Sequence, residues 1–208
     1  MTATAVRPAD VVADCLAGGV RRLLGGAHSL TSARAVVVRA DQQWVWVKFS
    51  TDPGRLPAPW ECVDAAPGWV RAPRGSEPGL RDASADPVLV VVGVGEDQVI
   101  AVNALAIDEI GVTCRGREAL IANWLLQAQV QGAAASAGEL AGVRLSANPD
   151  ATVVVADPLL DGEPGWVDVL AAGTSWPVRP LRGGAATPSA APQPAGVQEL
   201  SEVDEDDD

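Results

Sequence analysis

Residues 87–132 read PVLVVVGVGEDQVIAVNALAIDEIGVTCRGREALIANWLLQAQVQG. Val88–Val94 is a continuous apolar run, as expected of a strand buried on both faces. Gly95-Glu96-Asp97 supplies a turn into a second strand, and Ile110–Cys114 reads as a third. A short loop follows, then a helix whose Leu120, Ile121, Trp124, Leu125 and Ala128 recur at helical spacing. This strand–loop–helix order is that of a nucleotide-binding unit. A phosphate loop GxxxxGK[ST] works because converging backbone N–H groups, a Lys and a magnesium-binding hydroxyl meet the phosphates. Residues 113–118 read TCRGRE instead, with one glycine, no Lys and no hydroxyl at the helix start. The expected fold is α/β: a mixed sheet with a P-loop-like strand–loop–helix in the second half and a small N-terminal αββ layer.

Upstream, Pro8 and the stripe Val12, Leu16, Val20, Leu23 predict one amphipathic helix from about 8 to 24, ended by Gly25-Gly26. Gly18-Gly19 inside it costs about 1 kcal/mol per glycine relative to Ala, so the helix is weak or another backbone passes close. A hairpin follows, Arg34–Ala40 and Gln43–Phe49, turning at Asp41-Gln42. Alternation puts Trp44, Trp46 and Lys48 on one face and Val45, Val47 and Phe49 on the other. LPAPW (56–60) breaks the sheet, and short strands are expected near 60–63 and 69–71. Residues 72–86 form a polar loop between the two halves.

Downstream, Val143–Leu145 and Ala151–Ala156 read as strands, Gly165–Ala172 as a short helix and Ser175–Leu181 as a last strand. From Gly183 the low-complexity GGAATPSAAPQPAGVQ cannot bury enough surface to fold. The division is therefore 1–80 (N-terminal α+β), 81–182 (P-loop-like, without a phosphate loop) and 183–208 (disordered linker and acidic tail).

The net charge is −12, and the last ten residues, ELSEVDEDDD, hold seven acids and no base. The mildly acidic body argues against sequence-independent nucleic-acid binding, which needs several phosphate contacts from Lys or Arg. Cys15, Cys62 and Cys114 lie far apart with His28 the only histidine, a set too small for zinc and suited to free buried thiols in a reducing cytoplasm. No run of about 18 apolar residues predicts a membrane span. A soluble, cytoplasmic, bacterial protein without cofactor or metal is the expectation.

Among candidate sites, seven Trp against one Phe and no Tyr is an unusual balance. Trp44 and Trp46 would project two indoles from one strand face: core under a helix, a protein interface, or a ligand platform. TVVVAD (152–157) has the form of a strand ending in a magnesium-binding acid, although an acid before Pro usually marks a turn. Arg115 and Arg117, beside the helix N-terminus, are the candidates for an anion, and Arg115, Gly116 and Asp157 those for a cofactor. His28 reads as a loop residue, without a GxSxG elbow to form a triad. Asp108-Glu109, as adjacent strand residues, would face opposite ways. The tail acids, Glu202, Asp204, Glu205 and Asp206 among them, serve either a basic partner or solubility.

The order of helix, hairpin, LPAPW, W-V-R-x-P and the 87–130 stretch resembles the cytoplasmic module of large bacterial LysM/BTAD-type regulators. That module lies between a membrane-anchored N-terminus and a transcriptional-activator domain. It is itself similar to a degenerate FtsK-type or type VII secretion ATPase whose phosphate loop is lost. The resemblance covers roughly residues 10–156, without LysM motif, membrane segment or activator repeats, so DNA binding is not carried over. It implies a P-loop-derived fold and a non-catalytic, protein-binding habit. The expected function is a non-enzymatic interaction module, an accessory or structural subunit of a larger assembly. The alternatives are a nucleotide-responsive NTPase-like domain and a self-associating phage or particle structural protein.

Overall fold

A computed structural model of the chain describes residues 8–63, 68–76, 87–96, 98–136, 138–158, 165–171 and 173–181. It is a mixed α/β protein, with a large mixed sheet and three α-helices among the described residues. The helices are α1 (Pro8–Ala17), α2 (Gly19–His28) and α3 (Arg117–Val130). Strands β1 (Ala35–Ala40), β2 (Trp44–Phe49), β3 (Glu61–Cys62) and β4 (Trp69–Pro73) precede β5 (Leu89–Val94) and β6 (Val99–Asn103). Then come β7 (Glu109–Val112), β8 (Ala135–Ser136), β9 (Glu139–Leu140), β10 (Val143–Ser146), β11 (Val153–Ala156), β12 (Val167–Ala171) and β13 (Thr174–Pro180).

The strand order is β3-β4-β2-β1-β6-β5-β13-β12-β11-β7-β10-β9-β8. The first six strands pair antiparallel throughout, and β1 joins β6 through Val37–Ala40 and Val99–Val102. In the other half β11, β7 and β10 are parallel neighbours. Parallel pairing requires a crossover, and α3 supplies it between β7 and β10. β13 links the halves: Thr174–Val178 pair with β12, while Arg179 and Pro180 pair with Val94 and Gly93 of β5.

Two apolar clusters lie on opposite faces of the antiparallel half. One packs Val11, Cys15, Val20, Leu23 and Leu24 of α1 and α2 against Val38, Val45, Val47, Val91 and Ala101. The other joins Val37, Val90, Ile100 and Val102 to Trp124 of α3 and to Ile110, Val155, Val169 and Val178. The sheet also curls. Strands β4 and β13 stand five places apart, which in a flat sheet is about 24 Å. Yet Trp69 on β4 and Trp176 on β13 meet edge-to-face with ring centroids 5.8 Å apart.

Several expectations are corrected. The single helix over 8–24 is two helices: the backbone leaves the helical region at Gly18 (φ −110°, ψ −146°), a position where a side chain would collide with the Asp14 backbone and carboxylate. Gly25-Gly26 does not end α2, which runs on to His28 with both glycines buried. His28 is thus a buried helix-end residue rather than a loop residue, and its Nε2 accepts the Ala35 N–H at 3.0 Å. The helix expected over 165–172 is β12: Val167, Val169 and Ala171 alternate inward, and the segment pairs with β11 and β13. The expected linker and tail (183–208), and most of the 72–86 loop, lie outside the described residues.

Candidate functional site

Cross-strand neighbours on one sheet face lie about 5 Å apart and interact directly. The register of β1, β2, β4 and β3 places Arg39, Trp46, Arg71 and Glu61 in one row across four strands. The next row sets Lys48 opposite Trp69, and Trp44 lies two residues along β2 on the other side. Cations and indoles therefore alternate. The guanidinium of Arg39 stands 4.5 Å over the Trp46 ring, and that of Arg71 stands 4.4 Å over Trp44. The two indoles are 6.4 Å apart, tilted by 49°.

Each cation–π contact is worth about 0.5–1 kcal/mol when exposed and ~2 when desolvated. The described residues hold a third, Arg179 over Trp166 at 5.2 Å, which is close to the ordinary frequency of one per 70–80 residues. The number is unremarkable; the placement of two in adjoining positions on one face is the distinguishing feature.

Trp44, Trp46, Arg39 and Arg71 are all half-buried, whereas Val45 and Val47 are fully enclosed by the helices on the opposite side. Trp44 and Trp46 thus lie on the face turned away from α1 and α2 and are partly open to solvent. Because the sheet curls, Arg39, Trp46, Val63, Trp69, Thr174 and Trp176 line a cavity of about 230 Å³. The Arg39 Nε–H is buried there without a hydrogen-bond acceptor among the described residues. Arg71 Nε reaches Glu61 Oε1 at 3.1 Å, with both side chains well exposed, 38% and 49%, so that pair contributes little and leaves the cation available to a partner.

The sequence signal for Trp44 and Trp46 was the period-two alternation of β2. Arg71 and Trp69 share that alternation on β4 and were not singled out. Trp176 had no local signal, since the curl that carries β13 to β4 is non-local.

The other candidate group is also assembled. Arg115 donates its backbone N–H to Asp157 Oδ1 at 3.1 Å, just before Gly116, which begins α3 in the left-handed conformation at φ 72°. The Arg115 side chain, 95% exposed, lies 3.6 Å from Asp157 Oδ2 and adds little. A carboxylate near a helix N-terminus is favoured by the helix dipole, and Asp157 lies beside this one, bonded to the amide of Arg115, which precedes the Gly116 cap. Glu109, next to Asp108 at the start of β7, is held by side-chain hydrogen bonds from Ser146 and Asn148 and by Arg144, which keep its carboxyl below the usual range. No group of three or more His, Cys, Asp or Glu that could hold a metal occurs among the described residues. No helix among them is long and apolar enough to cross a membrane. Glu202, Asp204, Glu205 and Asp206 lie outside the described residues.

No family model, curated protein or solved structure matches the chain.

Proposed function

We propose that the chain is a non-enzymatic protein-binding module, an accessory or structural subunit of a larger bacterial assembly, whose partner docks on the face carrying Trp44, Trp46, Arg39 and Arg71. The observation that carries this reading is the alternating row of guanidinium and indole groups, half-exposed on an otherwise acidic protein. Trp and Arg dominate binding hot spots because they combine large apolar area with charge or directional hydrogen bonds. Such a face suits a partner that offers carboxylates between apolar side chains. Docking on a face also fits the sheet ends: β3 and β8 are two-residue strands, too short to template an added strand. The resemblance to a phosphate-loop ATPase that has lost its loop, with a small N-terminal layer, remains part of this proposal, as does a cytoplasmic setting.

The test is capture of a partner by the full chain, compared with Trp44→Ala and Trp46→Ala. We expect one partner to be retained by the native chain and reduced at least tenfold by either variant, with melting temperatures showing both variants folded. Equal capture by all three chains overturns the reading. The nucleotide-responsive alternative predicts that ATP or GTP with magnesium stabilises the fold by about 2.7 kcal/mol at a hundredfold excess over Kd. Asp157, holding the Arg115 amide, favours no such shift.

A further inference from the structure

The face just described is a cationic and aromatic surface on an acidic chain, and the most concentrated negative charge in the sequence belongs to the same chain. Seven acids occupy the ten positions 199–208. We propose that this segment docks on the Arg39–Trp46–Arg71 face of its own molecule and holds the partner surface closed until a competing acidic segment displaces it. The inference rests on the reading of that face as the partner surface.

Charge complementarity is the first argument. The cross-strand register places Arg39, Arg71 and Lys48 on one face, with Glu61 beside Arg71 at its rim. The Arg39 Nε–H has no acceptor among the described residues, and a carboxylate is the strongest acceptor a guanidinium can be given. The segment also carries Leu200 and Val203 between its acids, the combination an indole-and-guanidinium surface can accept.

Reach is the second argument. The last described residue, Leu181, follows β13, and Trp176 on that strand already lines the cavity beneath the face. Five strand residues separate them, about 17 Å. The seventeen residues 182–198 can span up to roughly 56 Å. A tether of that length sets an effective local concentration in the millimolar range. Contacts that hold a free peptide only weakly therefore suffice for an attached one.

The test keeps the full chain and changes only the tail, replacing all seven acids of 199–208 by their amides. The indole N–H signals of the seven tryptophans are read by two-dimensional NMR. We expect those of Trp44, Trp46 and Trp69 to move between native and amide-tail chains, while that of Trp124, fully enclosed, stays in place and reports an intact fold. A free peptide of sequence ELSEVDEDDD should return the shifted signals towards their native positions in the amide-tail chain and leave the native chain unaffected. Its Kd should rise at least tenfold between 0.1 and 1 M salt, as the Debye length falls from about 10 to 3 Å. Arg71→Gln in the native chain should reproduce part of the amide-tail shift. Identical indole signals in native and amide-tail chains overturn the proposal. So do shifts that grow with protein concentration, which would place the tail on a second copy. Failure of the face as a partner surface reads out separately, as partner capture unchanged by Trp46→Ala whatever the tail does.

Discussion

The side-chain amide of Gln127 pairs with the peptide of Val91 in both directions. Its Oε1 accepts the Val91 N–H at 2.7 Å and its Nε2 donates to the Val91 carbonyl at 3.1 Å. One turn on, Gln131 does the same with Leu89, at 2.9 and 2.6 Å. Four helical residues rise about 6.0 Å and two strand residues about 6.6 Å, so the periods match. Gln127 of α3 and Gln131 just past its end thus stand in for a neighbouring strand along the part of the β5 edge that β13 does not reach. A buried peptide group left unpaired costs about 1–3 kcal/mol.

Gln127→Ala should accordingly destabilise the fold by about 2–4 kcal/mol, since it orphans both the N–H and the carbonyl of Val91. Urea unfolding measures this. A loss below 0.5 kcal/mol would show that the pairing is dispensable.

Gly93→Ala should cost about 1–3 kcal/mol. A Cβ there would lie 2.5 Å from Val178 Cγ2 and 2.6 Å from the Arg179 carbonyl oxygen. Gly93 there pairs with Ile100 of β6 on one side and with Pro180 of β13 on the other. Gly54→Ala, with nothing within 4 Å of its Cβ but a φ of 67°, separates backbone strain from collision. Thermal unfolding of the two variants gives the comparison.

The thiols should divide by burial. Cys15 is fully enclosed, and burial, with the nearby Asp14 carboxylate, pushes its pKa up to about 12. Only about one molecule in ten thousand carries the thiolate at pH 8. Cys114 is buried and Cys62 exposed. A disulfide reagent should titrate one fast thiol, lost in Cys62→Ser, and all three only after unfolding. Two fast thiols in the native chain would contradict the packing of α1 or of the loop after β7.

Glu109 supplies a pH dependence. Ser146, Asn148 and Arg144 favour its charged form and lower its pKa from the ordinary 4.5. A carboxyl depressed on folding adds stability above its unfolded value, and that contribution is lost as pH falls through the folded value. The native chain should therefore lose its advantage over Glu109→Gln as pH drops below about 4.5. Urea midpoints taken from pH 6 to 2 check this; parallel curves would refute the assignment.

How far the sequence discloses this protein follows from which forces are local. Alternation in WVWVKF and the apolar run at 88–94 report directly on which faces are covered, and β2 and β5 lie where those patterns place them. The strand–loop–helix of β7 and α3 is similarly legible from helical spacing. The 165–172 segment was not: VDVLA satisfies either period over five residues, and its pairing with β11 and β13 decides in favour of strand. The break at Gly18 turns on the close approach of Asp14. At the candidate site, Trp44 and Trp46 could be found from one strand. The Arg71 and Trp69 beside them needed the register of β4, and Trp176 needed the curl of the whole sheet.

β13, the last strand among the described residues, has a consequence for the order of events during synthesis. Gly93 and Val94 await Arg179 and Pro180, some eighty-five residues later in the chain. At about 5–20 residues per second, the ribosome takes on the order of 4–17 s to deliver them. Throughout that interval the nascent β5 presents an open, apolar edge. Gln127 and Gln131 emerge roughly halfway through and can shield its first half early. The second half stays without its β13 partner until residues 179 and 180 are made, so the yield of folded protein should depend on the pace of translation over residues 95–180.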